Sequence, residues 1–311
     1  MSVRIDEYLR ERAAGLESVG VPEARLNLEH LLSFRLGYSR LDLVSRRTEF
    51  LAPSVLAAVE ADAVRLAAGE PLAYILGETP FHGLMLRTDR RALIPRPETE
   101  WLVDQVLACR AIWTGPAPCV ADVGTGTGCI ALALAAARPA ARVLAVEADP
   151  AALALALENR GRLGLDDRVA MRLGDLLEGV PAGTLDAVVS NPPYIPSATC
   201  DTLDRHVKDF EPRLALDGGA DGLAVIRRLA RQAWLCLKPD RPLWLEMGFD
   251  QGGAVAAVLK AEGFRDVEVR RDLAGLDRYA CGWRPNEAEL GGSSSSLRAG
   301  GVTSGGEAFR A

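Results

Sequence analysis

At 311 residues with 49% apolar side chains, the chain holds enough material for one large domain or for a small domain plus a medium one. A formal net charge of -6 counts against a protein whose main task is to grip a phosphate backbone, because such proteins present a basic surface. Cys109, Cys119, Cys129, Cys200, Cys236 and Cys281 include no C-x-x-C pair and no Cys/His cluster, so neither a metal site nor a disulfide framework is expected. The first ten residues mix both charge signs without the apolar stretch of a secretory signal, and no uncharged apolar run approaches membrane-spanning length. The sequence reads as soluble and cytoplasmic.

From residue 1 to about 75 the apolar positions recur at helical spacing: Ile5, Tyr8 and Leu9, then Leu26, Leu28, Leu31 and Leu32, then Leu56, Val59, Ala63 and Leu66. This predicts an N-terminal helical module, a packing cap or a recognition element. Over 76–100, Gly77, Pro80, Gly83, Pro95 and Pro97 punctuate short apolar pieces, which predicts a hairpin and linker. From 101 to 284 strand, loop and helix alternate. Strands are expected at 118–123, 142–147, 169–173, 185–190, 242–247, 266–270 and 278–283, and helices at 129–137, 150–163, 221–236 and 250–262. Such alternation implies an α/β, doubly wound and mostly parallel sheet, whose ligands bind at the carboxyl ends of the strands. Residues 285–311 are rich in Gly and Ser and predict a disordered tail.

Within that frame, Asp122, Val123, Gly124, Thr125, Gly126, Thr127 and Gly128 link an expected strand to an expected helix. Glycines there permit a tight turn and close approach of the backbone to a ligand, and the following helix contributes free N–H groups. The third glycine comes one residue too early for the dinucleotide fingerprint, and no Gly-Lys-Ser/Thr ending marks a phosphate-cradling loop. Glu147, at the end of the second strand, is suited to accept hydrogen bonds from both hydroxyls of a ribose. Asp175 closes the third strand, where it or its neighbouring backbone can face an adenine amino group.

Asn191, Pro192, Pro193 and Tyr194 follow the fourth strand. The two prolines fix two φ angles and hold Asn191 and Pro192 extended. An amide or aromatic-amine nitrogen is a poor nucleophile because its lone pair is delocalised. Acceptance of its two N–H bonds by the Asn191 side-chain oxygen and the Pro192 carbonyl would orient and enrich it. Tyr194 would offer an aromatic face to the planar acceptor or to a sulfonium charge. With the glycine loop and Glu147, this predicts methyl transfer from S-adenosylmethionine to a planar nitrogen.

From its N-terminal helices to about Trp283, the sequence resembles the protein-(glutamine-N5) methyltransferases that act on peptide chain release factors, the HemK or PrmC family. The resemblance rests on 122–128 and 191–194 and also on 71–77 (Pro-Leu-Ala-Tyr-Ile-Leu-Gly), 93–100 (Leu-Ile-Pro-Arg-Pro-Glu-Thr-Glu), Phe210-Glu211-Pro212, Leu216 and Asp221-Gly222-Leu223. It implies a class I S-adenosylmethionine-dependent methyltransferase fold behind a small helical domain, a candidate for release-factor recognition or a packing cap. It also implies N5-methylglutamine in a Gly-Gly-Gln loop as the product. By this resemblance Gly124 to Gly128 and Glu147 bind the cofactor, with Asp175, Leu176 and Asn191 beside them, and Asn191 to Tyr194 bind the substrate. The family often has an aromatic residue where this chain has Leu176, so apolar contact with adenine is kept and stacking is lost. The Asn-Pro-Pro-Tyr tetrapeptide is shared with DNA adenine and RNA guanine methyltransferases, which leaves methylation of a nucleic-acid base such as N6 of adenine as the alternative. The segment 94–100 is what separates the release-factor family from these relatives.

Overall fold

The computed structural model describes residues 3–286, so the tail expected from the sequence lies, beyond Asn286, outside the described residues. The N-terminal module packs α1 (Ile5–Ser18), α2 (Ala24–Leu36), α3 (Arg40–Ser45) and α4 (Pro53–Ala67) around its own apolar cluster. Ile5, Tyr8, Leu9, Leu28, Leu31, Leu32, Val59, Ala63 and Leu66 are buried as their spacing predicts, whereas Leu26 and Leu56 are only half-buried. α3 begins with a capping box in which the Ser39 hydroxyl accepts from the Asp42 N–H and the Asp42 carboxylate accepts from the Ser39 N–H. Arg35 of α2 grips the buried Asp62 of α4 through two hydrogen bonds of 2.8 and 2.9 Å.

A short α5 (Leu72–Leu76) leads to a hairpin of β1 (Glu78–Phe81) and β2 (Leu84–Arg87). His82 (φ 47°) and Gly83 (φ 77°) are both left-handed at its tip, as a two-residue turn between right-twisted strands requires. α6 (Pro97–Ala108) then begins inside the stretch expected to be linker. Pro97 reads as a breaker in sequence, but it occupies the first turn of a helix, where a missing N–H costs nothing and φ is already helical.

The remaining elements are β3 (Cys119–Val123), α7 (Cys129–Ala137), β4 (Arg142–Glu147), α8 (Pro150–Leu163), β5 (Val169–Leu173), β6 (Ala187–Ser190), the short α9 (Ser197–Cys200) and α10 (Arg205–Lys208), α11 (Ala224–Cys236), β7 (Pro242–Glu246), α12 (Gly252–Ala261), β8 (Arg265–Arg271) and β9 (Asp277–Trp283). They form a seven-stranded sheet of order β5-β4-β3-β6-β7-β9-β8, parallel except for β9, which runs against both neighbours. Val120, Leu102 and Leu132 pack on one face; Ala121, Val188, Ile226 and Leu229 pack on the other. A sheet covered on both sides explains why β6 and β7 are apolar runs instead of alternating strands. Complete burial of a Leu or Ile such as Leu229 or Ile226 contributes about 1.5–3 kcal/mol.

The chain order reverses between β3 and β6, and their carboxyl ends carry Gly124 and Asn191. The two sequence motifs therefore flank the switch point. Among the described residues, no helix is long and apolar enough to cross a membrane.

Candidate active site

The loop after β3 turns on three left-handed glycines, Gly124 (φ 72°), Gly126 (φ 56°) and Gly128 (φ 86°). The N–H groups of Gly124 and Thr125 both donate to the Val146 carbonyl at 2.8 and 3.1 Å, which ties the loop to the end of β4. Glu147 completes the tie. Its Oε2 accepts from the Gly126 N–H at 2.8 Å, and its Oε1 from Ala148 and Asp149 at 2.9 and 3.1 Å. Beneath the loop the fully buried Asp122 accepts from the Thr125 hydroxyl at 2.5 Å and from the Ala131 N–H at 3.1 Å. Burial pushes its carboxyl up to about 7, against the opposing pull of those two hydrogen bonds.

A cavity of about 210 Å³ opens at this point, and Gly124, Gly126, Glu147, Asp175, Leu176, Asn191, Pro192 and Pro193 line it. Asp122, Thr125, Thr127, Gly128 and Tyr194, also singled out in sequence, are not on its wall. The first four shape the loop from behind. The Tyr194 ring, expected to face the acceptor or the donor, packs instead against the apolar cluster beneath α11 and α12. Its hydroxyl lies 3.4 Å from Glu246, and burial, with that carboxylate second, pushes the phenol up to about 12. Asp175 reaches the wall but is ion-paired with Arg228. Leu176 holds φ 54°, a conformation rare for a branched side chain, and thereby presents its apolar body to the cavity.

The lining suits a nucleoside. A Cβ built on Gly124 meets no atom within 4 Å, and one on Gly126 meets only Ala92 Cβ at 4.0 Å, so the space beside the loop backbone belongs to the cavity. A carboxylate (Glu147) stands on one side and apolar groups (Leu176, Ala152, Leu93) on others. Leu93 and Pro212 belong to segments the sequence marked without assigning them to this cavity, whereas Arg91, Leu214 and Arg228 carried no local signal.

The Asn-Pro-Pro-Tyr segment is held from several directions. Ile195 N–H donates to the Leu216 carbonyl at 3.0 Å, and Gly218 N–H to the Ile195 carbonyl at 2.8 Å. Gln251 Nε2 donates to the Tyr194 carbonyl at 2.8 Å. Asn191 Nδ2 donates to the Thr99 hydroxyl at 3.0 Å, and that hydroxyl donates to Glu246 Oε2 at 2.8 Å. Among the described residues, no hydrogen bond engages Asn191 Oδ1 or the Pro192 carbonyl.

Three of the marked segments converge behind the cavity. The carboxylate of Glu211, fully buried, pairs with Arg96 and accepts from the Ile94 N–H at 3.3 Å, while the Tyr74 hydroxyl donates to the Ala92 carbonyl at 2.7 Å. Burial raises the Glu211 carboxyl and Arg96 opposes that shift. Removing the cation from a buried pair strands the carboxylate, at a typical cost of about 3–5 kcal/mol, and the one-third exposure of Arg96 places this case at the lower end. Arg96→Ala is therefore expected to lower stability by about 3 kcal/mol in urea titration. Glu211→Gln, which leaves a cation able to reach water, should cost less; equal losses would contradict this account.

A seven-stranded sheet of this order, with a glycine loop after its first strand, a carboxylate ending the second and Asn-Pro-Pro-Tyr ending the fourth, defines an S-adenosylmethionine-dependent methyltransferase of class I. Residues 110–219 match the Methyltransferase small domain family and residues 7–77 the PrmC N-terminal domain family. The chain is 39% identical over 267 residues to the release factor glutamine methyltransferase of Caulobacter vibrioides, covering 86% of this chain and 92% of the relative. To that of Moorella thermoacetica it is 42% identical over 288 residues, covering 91% and 98%. Among solved structures, the catalytic domain of hMettl16 in complex with MAT2A 3'UTR hairpin 6 is similar in fold alone, with a TM-score of 0.52 at 14% identity over 77% of this chain and 86% of that one. The chain belongs to the release factor glutamine methyltransferase family.

Proposed function

We propose that this chain transfers the methyl group of S-adenosylmethionine to the side-chain amide nitrogen (N5) of the glutamine in the Gly-Gly-Gln loop of class I release factors. The observation that carries this reading is that Asn191 and Pro192 line the glycine-loop cavity and that their carbonyl oxygens, Asn191 Oδ1 and Pro192 O, have no hydrogen-bond donor among the described residues. A primary amide carries two N–H groups, so two acceptors orient it and shift electron density toward its nitrogen. When bound, S-adenosylmethionine supplies an electrophilic methyl group. The amide nitrogen forms the new N–C bond as the bond from methyl to the sulfonium sulfur breaks, that bond's electron pair stays with the departing thioether, and one of the two amide protons passes to solvent, giving N5-methylglutamine.

In this reading Gly124, Gly126 and Glu147 hold the cofactor, Glu147 by accepting from the ribose hydroxyls, and Leu176 covers the adenine. Asp122, Thr125, Thr127 and Gly128 keep the loop in shape. Asp175, paired with Arg228, borders the adenine side. Pro193 and Tyr194 brace Asn191 and Pro192. Residues 1–75 form a separate module that contributes release-factor recognition, and the enzyme works in the cytoplasm without binding nucleic acid. The acidic net charge of -6 supports that last point.

Labelled S-adenosylmethionine, incubated with this chain and a recombinant release factor, is expected to transfer one methyl group per factor. No label should pass to a factor whose Gly-Gly-Gln glutamine is changed, or to DNA or RNA. Label on the altered factor would refute the glutamine assignment, and label on nucleic acid would favour the base-methylating alternative.

A further inference from the structure

Asn191 can serve as an acceptor only if its amide oxygen, and not its NH2 group, faces the substrate. The two ends of a side-chain amide are nearly isosteric, so shape alone does not choose between them. Resting on the methyl-transfer reading above, we propose that Thr99 and Glu246 are positioning residues whose hydrogen-bond chain commits the Asn191 NH2 group inward and thereby leaves Oδ1 for the acceptor amide.

Ionised Glu246 only accepts hydrogen bonds, so the Thr99 hydroxyl, 2.8 Å away, must spend its single proton on it. The Thr99 oxygen can then only accept from Asn191, and at 3.0 Å it takes an N–H from Nδ2. Thr99 and Glu246 are 2% and 1% exposed, so water does not substitute for either partner. A position that merely filled space in the first turn of α6 would be served by valine, which has the same shape and no polar atom to satisfy.

The groups facing Glu246 come from several elements. Thr99 and Glu98 lie on α6, Tyr194 after β6, Arg278 and Tyr279 on β9, and Cys129 at the start of α7. Burial pushes the Glu246 carboxyl up to about 7, with Thr99 and then Arg278 opposing. Below that value the protonated acid can donate to Thr99. The hydroxyl proton is then released toward Asn191, where it favours the inverted amide. The orienting chain thus operates above about pH 7 and weakens as pH falls through it.

The test measures kcat and KM for S-adenosylmethionine and for a recombinant release factor from pH 5.5 to 8.5, using the full chain. Thr99→Val is expected to lower kcat about 10- to 100-fold at pH 8 with cofactor affinity near wild type and a modest fall in thermal stability, since Glu246 and Asn191 each lose a buried partner, and Thr99→Ser to restore most of both. Glu246→Gln cannot take up a proton and should lose the acidic limb near pH 7. Wild-type kcat in Thr99→Val, failure of serine to rescue, or an unchanged acidic limb in Glu246→Gln would each overturn the proposal. Should the valine variant fail to fold, the glutamine variant's profile decides alone. Wild-type enzyme that leaves the release factor unmethylated would instead remove the functional reading itself.

Discussion

Asn191→Ala is expected to reduce kcat by about 10² to 10³ while S-adenosylmethionine affinity, read by calorimetry, stays largely unchanged. The size follows from what is lost. An acceptor aimed at the reacting amide acts mainly where the nitrogen gains positive character, so its removal is felt in turnover more than in ground-state binding. Asn191 lies on the cavity wall, but its side-chain amide donates inward to Thr99 and not to the glycine loop. The helix and sheet around it do not depend on that bond. Collapse of cofactor affinity with kcat preserved would assign Asn191 to the donor and not to the acceptor.

Gly222→Ala, although not on the cavity wall, is expected to be nearly as damaging. Gly222 has φ 76°, and a Cβ there would stand 2.2 Å from the Tyr194 carbonyl oxygen and 2.5 Å from Gln251 Nε2. The first contact is with backbone and cannot be relieved by a side-chain rotation. Either the loop carrying 191–194 moves or the 218–222 turn opens, and a shift of about 1 Å in a positioned group costs on the order of 10²-fold in rate. The same substitution at Gly275, which has φ 79° but no neighbour within 4 Å of the added carbon, separates the two contributions. Gly275→Ala should show only the backbone cost of about 1–2 kcal/mol and wild-type turnover. Equal activity in the two variants would mean that the clash at Gly222 is absorbed without displacing Tyr194.

Both results depend on a division of labour at the switch point between β3 and β6. The glycine loop is tied to the end of β4 by backbone hydrogen bonds to Val146 and by the Glu147 carboxylate, so the cofactor side is built largely from local chain. The acceptor side is assembled from distant parts. Thr99 reaches Asn191 across 92 residues and Glu246 across 147, and Arg96 meets Glu211 across 115. Variants on the cofactor side should therefore act through cofactor affinity, and those on the acceptor side through turnover.

What could be read from the chain alone follows from this difference in range. Alternation of apolar strands and helices specified the parallel sheet because burial on both faces leaves a continuous apolar run in each inner strand. The glycine loop was legible because left-handed backbone at three closely spaced positions demands glycine, and the prolines after Asn191 because they restrict φ wherever they occur. Glu147 was legible from its place at a strand end. The start of α6 was not, since Pro97 reads equally as a linker residue or as the first residue of a helix. Only α6 packing across the sheet decided it. The inward turn of Tyr194 and the Asn191–Thr99–Glu246 chain were equally hidden. A threonine in one motif and a glutamate in a strand to which the sequence assigned no chemistry carry no local mark of partnership, and side-chain direction after a strand is set by what packs behind it. The sequence by itself thus determined the architecture and the placing of the glycine loop and Glu147 at adjacent strand ends. The tertiary structure decided which way the Asn191 amide points, because that choice rests on buried hydrogen bonds between residues that only folding brings within 3 Å.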